Sequence, residues 1–142
     1  MPHPLPFSAP DAALLALRPA VATELPATAE ATPGDFLHRT LRPVLKLQNQ
    51  LLLLTVADFV REHHMNFAGL GPAEQQRVVG ELLARNVKLR YTIIGLVTGV
   101  FTGPETSFYR SRRGEINRRL LELATKRVQD QVAALAEAEP AA

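Results

Sequence analysis

Residues 79–100 read VGELLARNVKLRYTIIGLVTGV, and this stretch decides the fold. Apolar residues and one Asn recur in it at positions 79, 82, 86, 89, 93, 96 and 100. Spacings of three and four place side chains on one stripe of a helix, whereas a strand alternates every two residues. The stretch predicts one long helix, or two helices joined by a bend near Arg85 and Asn86. Its GxxxG pair, Gly95 and Gly99, predicts close approach of another helix, in this chain or in a second copy.

The same spacing continues before this stretch. A helix is expected from Pro43 to about Met65, after a shorter helical segment over Asp35 to Arg42. One apolar stripe of the longer helix occupies positions 44, 47, 51 and 54, and a second occupies 45, 52, 56 and 59. Two apolar faces predict a central helix that is packed on more than one side.

The spacing also continues after it. Thr102 and Glu105 have the spacing of a capping box, in which each side chain bonds the other residue's backbone N–H. A short helix is expected to begin there and to end by Gly114, and a last helix is expected from Glu115 to about Leu135.

These patterns predict an all-α fold, a compact bundle of four to five helices over residues 35–135. No stretch shows the alternation or the hairpin turns of a sheet. Residues 1–34 hold seven of the eleven prolines and many alanines. They predict a disordered or loosely docked Pro/Ala-rich arm, because Ala and Pro offer little apolar burial to offset the entropy of ordering. Residues 136–142 predict a frayed tail.

One part of the arm has helical character. Asp11 is suited to begin one or two turns of helix, and Pro19 would end them. We weigh two interpretations, a transient helix in a tail and a short docking segment that inserts its leucines into a groove on the bundle or on a partner. The leucines are Leu14, Leu15 and Leu17.

Composition narrows the class of protein. The chain has 142 residues, 46% hydrophobic and 21% charged, and no cysteine. It begins without the basic region and apolar core of a secretory signal. Its longest nearly apolar stretch, Tyr91 to Phe101, is much shorter than the ~20 residues that a bilayer requires. We expect a cytoplasmic protein that does not enter the membrane.

Positive charge is concentrated in one half of the chain. Residues 85–127 hold ten of the sixteen Lys and Arg residues but only three acids, a local formal charge of +7. Three i,i+4 pairs are expected on the last helix: Glu115–Arg119, Arg118–Glu122 and Glu122–Lys126. The cations left over are Arg85, Lys88, Arg90, Arg110, Arg112, Arg113 and Arg127.

The densest part of this region is the junction 108–114, where two aromatic residues precede three arginines. Arginine forks suit phosphates or carboxylates, and an aromatic ring can stack on a base. An ordinary solvated basic surface, a nucleic-acid site and a site for an acidic protein surface all remain open. The candidate binding residues are Lys88, Tyr109, Arg110, Arg112, Arg113 and Arg127.

Two polar residues fall on apolar stripes. Asp58 extends the stripe 44, 47, 51 and 54, and Asn86 lies within the seam of residues 79–100. A buried carboxylate requires a cation, and Arg90 on the neighbouring helix is the natural one. We therefore expect Asp58, Asn86 and Arg90 to form a buried polar contact that fixes helix register, or to mark a ligand site in the core.

Catalytic signals are sparse. The three serines lie in no nucleophile motif, and the phosphate-binding glycine loops are absent. Asp58 and His63 supply the best candidates for a metal or small-molecule site, yet the paired Glu-x-x-His motifs of di-iron bundles are missing. We expect no catalytic residues, no metal and no cofactor.

Several motifs resemble those of a group of short helical bacterial proteins that often carry an automatically assigned glyoxalase label. They are the run TLRPVLKLQNQL from Thr40, Leu89-Arg90, Gly95, Gly99 to Thr102, and EINRR from Glu115 to Arg119. The resemblance covers about residues 35–130 and implies no defined activity. Glyoxalase I enzymes are built from βαβββ units with metal ligands on strands, and this chain predicts no strands.

The sequence favours a non-catalytic binding or regulatory protein. Its basic C-terminal half would engage an acidic protein surface. The first alternative is a factor that associates with RNA or another nucleic acid, and the second is a small enzyme with a site near Asp58 and His63. A homodimer through the Gly95–Gly99 seam is also open.

Overall fold

The computed structural model describes residues 11–19, 32–63 and 66–138, and these form an all-α fold without strands. A π turn (Leu37–Leu41) joins the second helix to the third, and a 3₁₀ turn (Phe67–Gly69) precedes the fifth. The helices are α1 (Asp11–Leu17), α2 (Pro33–Phe36), α3 (Arg42–Leu47), α4 (Asn49–His63), α5 (Pro72–Arg85), α6 (Val87–Thr98), α7 (Gly103–Ser111), α8 (Arg113–Gln129) and α9 (Val132–Ala136).

Four long helices, α4, α5, α6 and α8, build the bundle, and the prediction of an all-α bundle is confirmed. Helix α5 packs on α8, α4 packs on α6, and α6 also packs on α8. The core between them is aliphatic, with fully buried side chains that include Leu52, Leu83, Ile93 and Leu120. Phe36 closes one end by packing edge-on against Phe101.

Close helix approach occurs at a different glycine from the one the sequence indicates. A Cβ on Gly95 would meet no atom of a neighbouring helix within 4 Å, so no helix of the described chain approaches there. Approach by a second copy of the chain stays a prediction. The tight contact is at Gly80, where a Cβ would lie 2.9 Å from the side-chain nitrogen of Gln129. The Gln129 amide donates in turn to the carbonyl of Gln76 over 3.0 Å, which ties α5 to α8.

The shorter helical segment expected over Asp35 to Arg42 is occupied by α2 and the π turn. The helix expected from Pro43 follows directly as α3, which begins at Arg42 and includes Pro43. Proline lacks an N–H and crowds the preceding turn, so an ordinary α-helix is interrupted there. Here the π turn before Pro43 carries the chain through, and the Arg42 N–H donates to the carbonyl of Leu37, five residues back. The helix then breaks at Gln48, whose backbone angles are φ −93° and ψ 13°.

Only one stripe of α4 is buried. Leu52 and Val56 lie in the core, whereas Leu51 and Leu54 are exposed. The expectation that both faces are covered is therefore wrong within the described residues. Since Asp58 extends the exposed stripe, it lies in solvent as well.

The bend near Asn86 and the capping box are both present. The backbone turns at Asn86, and its side chain caps α6 by accepting the Leu89 N–H over 2.9 Å. Thr102 and Glu105 form the full capping box at the start of α7. The last predicted helix is divided, because the chain turns at Asp130 and Gln131 between α8 and α9.

The predicted arm is described at residues 11–19 and 32–34; its other residues, like residues 139–142 of the predicted tail, lie outside the described parts of the chain. Within it, α1 is held against the start of α7 by two charged side chains. The guanidinium of Arg18 donates to both carboxylate oxygens of Glu105 over 2.6 Å, and these side chains are only 6% and 7% exposed. Asp11 accepts the backbone N–H of Gly103 over 3.0 Å.

We name this arrangement the α1 clasp and define it by Asp11, Arg18, Thr40, Thr102 and Glu105. The Thr40 hydroxyl, carried by the π turn, donates to Glu105 over 2.9 Å, and so does the Thr102 backbone N–H over 2.8 Å. Leu15 and Leu17 are exposed and enter no groove of the described bundle, and Leu14 is half-buried. Insertion of these leucines into a partner stays a prediction. The polar contacts of Asp11 and Arg18 hold the segment against the bundle.

Candidate binding surface

The turn between α7 and α8 presents three arginines to solvent. Arg112 is the connecting residue, and Arg110 and Arg113 flank it in the two helices. The guanidinium of Arg112 lies 5.6 Å from the ring centre of Phe108, and that of Arg113 lies 5.7 Å from the ring centre of Tyr109. A cation over a ring is partly immobilised while its N–H groups remain able to bind an acceptor.

The ring of Tyr109 is packed inside this junction and is not exposed for binding. It is 8% exposed, its hydroxyl donates to Asn117 over 2.7 Å, and its ring meets Phe101 edge-on. The expectation that Tyr109 stacks on a base is therefore wrong, since the ring is already enclosed.

All three acids of residues 85–127, the basic half of the chain, form ion pairs with arginines. Glu105 belongs to the α1 clasp, Glu115 pairs with Arg119 over 3.3 Å, and Glu122 pairs with Arg118 over 2.8 Å. The expected Glu122–Lys126 pair is replaced by Lys126–Asp130 at 2.9 Å. Among the described residues, the cations of this half without a carboxylate partner are Arg85, Lys88, Arg90, Arg110, Arg112, Arg113 and Arg127.

The expected buried contact of Asp58, Asn86 and Arg90 does not form. Asp58 is 56% exposed and pairs with Arg61 at 3.5 Å, since its stripe faces outward. Asn86 is the helix cap described above. The Arg90 guanidinium donates to the carbonyl of Leu83 over 2.9 Å, so it ties α6 to the end of α5.

Arg90 also borders a groove of about 520 Å³ that runs between α5, α6 and α8. Arg118 and Lys126 line its α8 wall, and both already have acid partners. Arg90 is the cation of this groove that has no carboxylate partner within the described chain. The groove therefore contributes one acid-free cation. The α7–α8 turn contributes three and has the highest density of them.

A second concavity lies next to this groove, between α8 and α3, and Lys126 lines both. It measures about 310 Å³ and is lined by three cations, Arg42, Lys126 and Arg127, together with Leu45, Leu123, Asp130 and Gln131. The sequence singled out Arg127 but missed Arg42. No local sequence pattern identifies Arg42 as a site residue, because the residues that it faces across the pocket are more than 80 positions away in the chain.

In residues 11–19, 32–63 and 66–138, no group of three His, Asp or Glu residues is placed to hold a metal ion. The Nδ1 of His63 lies 2.8 Å from the carbonyl oxygen of Phe59. No helix of the described ranges is long and apolar enough to cross a bilayer.

Comparison of the chain with protein-family models, with curated proteins and with solved structures finds no match.

Proposed function

We propose that this chain is a non-catalytic binding protein whose basic C-terminal half engages an acidic surface of another protein. The observation that carries the proposal is the group Arg110, Arg112 and Arg113, which is exposed and has no carboxylate partner among the described residues. Arg77, by contrast, is also exposed but is paired with Glu74 and Glu81.

The arrangement of these arginines suits carboxylates. Arg112 and Arg113 lie over rings of α7, which reduces the side-chain entropy lost on binding. Each guanidinium can donate two parallel N–H bonds to one carboxylate. The neighbouring acids are engaged elsewhere, so nothing close by competes for the free N–H groups. The result is a semi-rigid basic site that suits glutamate or aspartate side chains.

Nucleic acid is the weaker candidate. Single-stranded recognition relies on aromatic rings on which bases stack. Tyr109 is enclosed and Phe108 is half-buried beneath Arg112, so the junction contributes charge without a stacking platform. Phosphate contacts alone would bind nucleic acid without sequence preference and with a steep dependence on salt.

The test compares two probes with the full chain: a poly-glutamate peptide and a generic structured RNA. We expect the combined variant R110Q/R112Q/R113Q to bind the peptide at least ~10-fold more weakly, since each charge-assisted contact contributes about 1 kcal/mol or more. The control is R61Q/R77Q/R118Q, which removes the same charge from arginines that already have acid partners.

Equal losses in both variants would show that only net charge matters and would reject the junction as the site. Binding of RNA with a salt slope corresponding to several phosphates, and none of the peptide, would transfer the proposal to nucleic acid.

A further inference from the structure

The pocket between α3 and α8 has the charge and shape of a ligand site. Arg42 on α3 and Lys126 and Arg127 on α8 line it, above an apolar floor of Leu45 and Leu123. We propose that this pocket binds a small organic phosphate monoester. The inference does not depend on the proposed function, because it requires no macromolecular partner.

Two of the three cations of the pocket have no acid partner in the part of the chain that the structure describes. Arg42 is exposed and has no acid partner among the described residues. Arg127 is half-buried and donates to the side-chain oxygen of Asn49 over 3.3 Å, a neutral acceptor. Lys126 alone has an acid, Asp130, at 2.9 Å. Three cations and one acid leave a local formal charge of +2.

The wall formed by α8 and the following turn is fixed by an amide network. The side-chain amides of Asn49 and Gln131 donate to each other over 2.9 and 2.8 Å. The Gln131 amide also donates to the backbone carbonyl of Arg127 over 3.0 Å. These bonds join the start of α4 to the end of α8, so the position of Arg127 is set before a ligand arrives. Preorganised donors bind with a smaller entropic cost.

Charge and volume together indicate the ligand class. A phosphate monoester carries about −1.5 to −2 at neutral pH and offers three acceptor oxygens. That charge matches the +2 of the pocket, whereas one carboxylate would leave it half compensated. The volume of 310 Å³ lies at the lower end of the ~300–1,000 Å³ found for ligand sites. Leu45 and Leu123 would contact the carbon part of the ligand.

The pocket is separate from the arginine junction. Arg113 and Arg127 are 14 residues apart on one continuous helix, which places them about 21 Å apart along its axis. A variant at one site therefore need not alter the other, which makes the two proposals independently testable.

The experiment titrates the full chain with inorganic phosphate and with glycerol 3-phosphate, at constant ionic strength, and follows backbone amide shifts by NMR. Glycerol and acetate serve as probes without the phosphate. We expect saturable shifts in α3 and α8, with glycerol 3-phosphate binding more tightly than inorganic phosphate. The variant R42Q is expected to weaken binding at least ~10-fold, because it removes a fork that the fold does not use.

The matched control is R110Q, which removes one exposed, acid-free arginine at the junction and should leave the phosphate affinity unchanged. Non-saturating shifts, an equal response to acetate, or equal losses in R42Q and R110Q would each overturn the proposal. Tighter binding of inorganic phosphate than of glycerol 3-phosphate would overturn the assignment of an organic ester. Because Arg42 contacts no acid and is exposed, R42Q is expected to fold normally.

Discussion

Arginine has opposite roles in two regions of this molecule. In the α1 clasp, Arg18 is buried, bidentate and fully charge-compensated by Glu105. At the α7–α8 junction, Arg112 and Arg113 are exposed, lie over aromatic rings and have no acid partner in the described chain. The two regions lie at opposite ends of α7, a helix of nine residues.

The difference shows how burial determines the use of a charge. A buried charge is tolerated only with a partner, so the clasp charges are committed to the fold. An exposed arginine contributes little to stability and remains available for binding. The comparison predicts large stability effects from the clasp and small ones from the junction.

The largest effect is expected for Glu105→Ala. It removes the capping box of α7 and leaves Arg18 without its acid, so we expect a loss of about 3 kcal/mol or more in the free energy of unfolding, measured with urea at pH 7. Arg18→Ala should cost less, because α1 can then undock and let water reach Glu105. The control Glu81→Ala, an exposed acid paired with Arg77, should cost less than about 0.5 kcal/mol. A loss below 1 kcal/mol for Glu105→Ala would contradict the clasp.

An intermediate effect is expected from acid. Burial alone would raise the pKa of Glu105, but hydrogen bonds from Arg18, Thr102 and Thr40 outweigh it and hold the pKa below its ordinary value of 4.5. A carboxyl whose pKa is lowered by folding contributes stability above its unfolded pKa, and the contribution is lost as pH falls through the folded pKa. The stability difference between the wild type and Glu105→Gln should be constant from pH 7 to about pH 5 and shrink below. A constant difference down to pH 3 would refute this linkage.

The smallest effect is expected at the junction. The combined variant R110Q/R112Q/R113Q removes two exposed cation–π contacts of about 0.5 kcal/mol each, so the free energy of unfolding should fall by about 1 kcal/mol. Thermal and urea unfolding of this variant and of the wild type measure the change. A loss above 3 kcal/mol would mean that these arginines belong to the fold, as Arg18 does.

Much of the fold could be predicted because its signals are local. The seam of residues 79–100, the bend at Asn86 and the Thr102–Glu105 capping box depend on side chains within a few residues of each other. The ion pairs on α8 were predictable for the same reason. Lys126 is the exception, because Glu122 and Asp130 each lie four residues from it and it pairs with Asp130. The seven free cations of the basic half follow directly from that pairing.

The candidate sites were less predictable. Asp58 was misassigned because a helical stripe does not say whether it faces the core or solvent. Tyr109 was misassigned because its position beside the arginines does not say whether its ring is exposed. Leu51 and Leu54 are as apolar as Leu52, and only the neighbouring helices decide which of them is covered. Arg42 was missed because its neighbours in the pocket are on α8.

The amino-acid order alone determined that the chain is helical, where several helices begin, and that its second half carries surplus positive charge. Those properties arise from interactions within one or two helical turns. Tertiary structure alone decided that Arg18 meets Glu105 across 87 positions, that the ring of Tyr109 is enclosed, and that Arg42 joins α8. Such contacts depend on how distant helices pack, which no local spacing encodes.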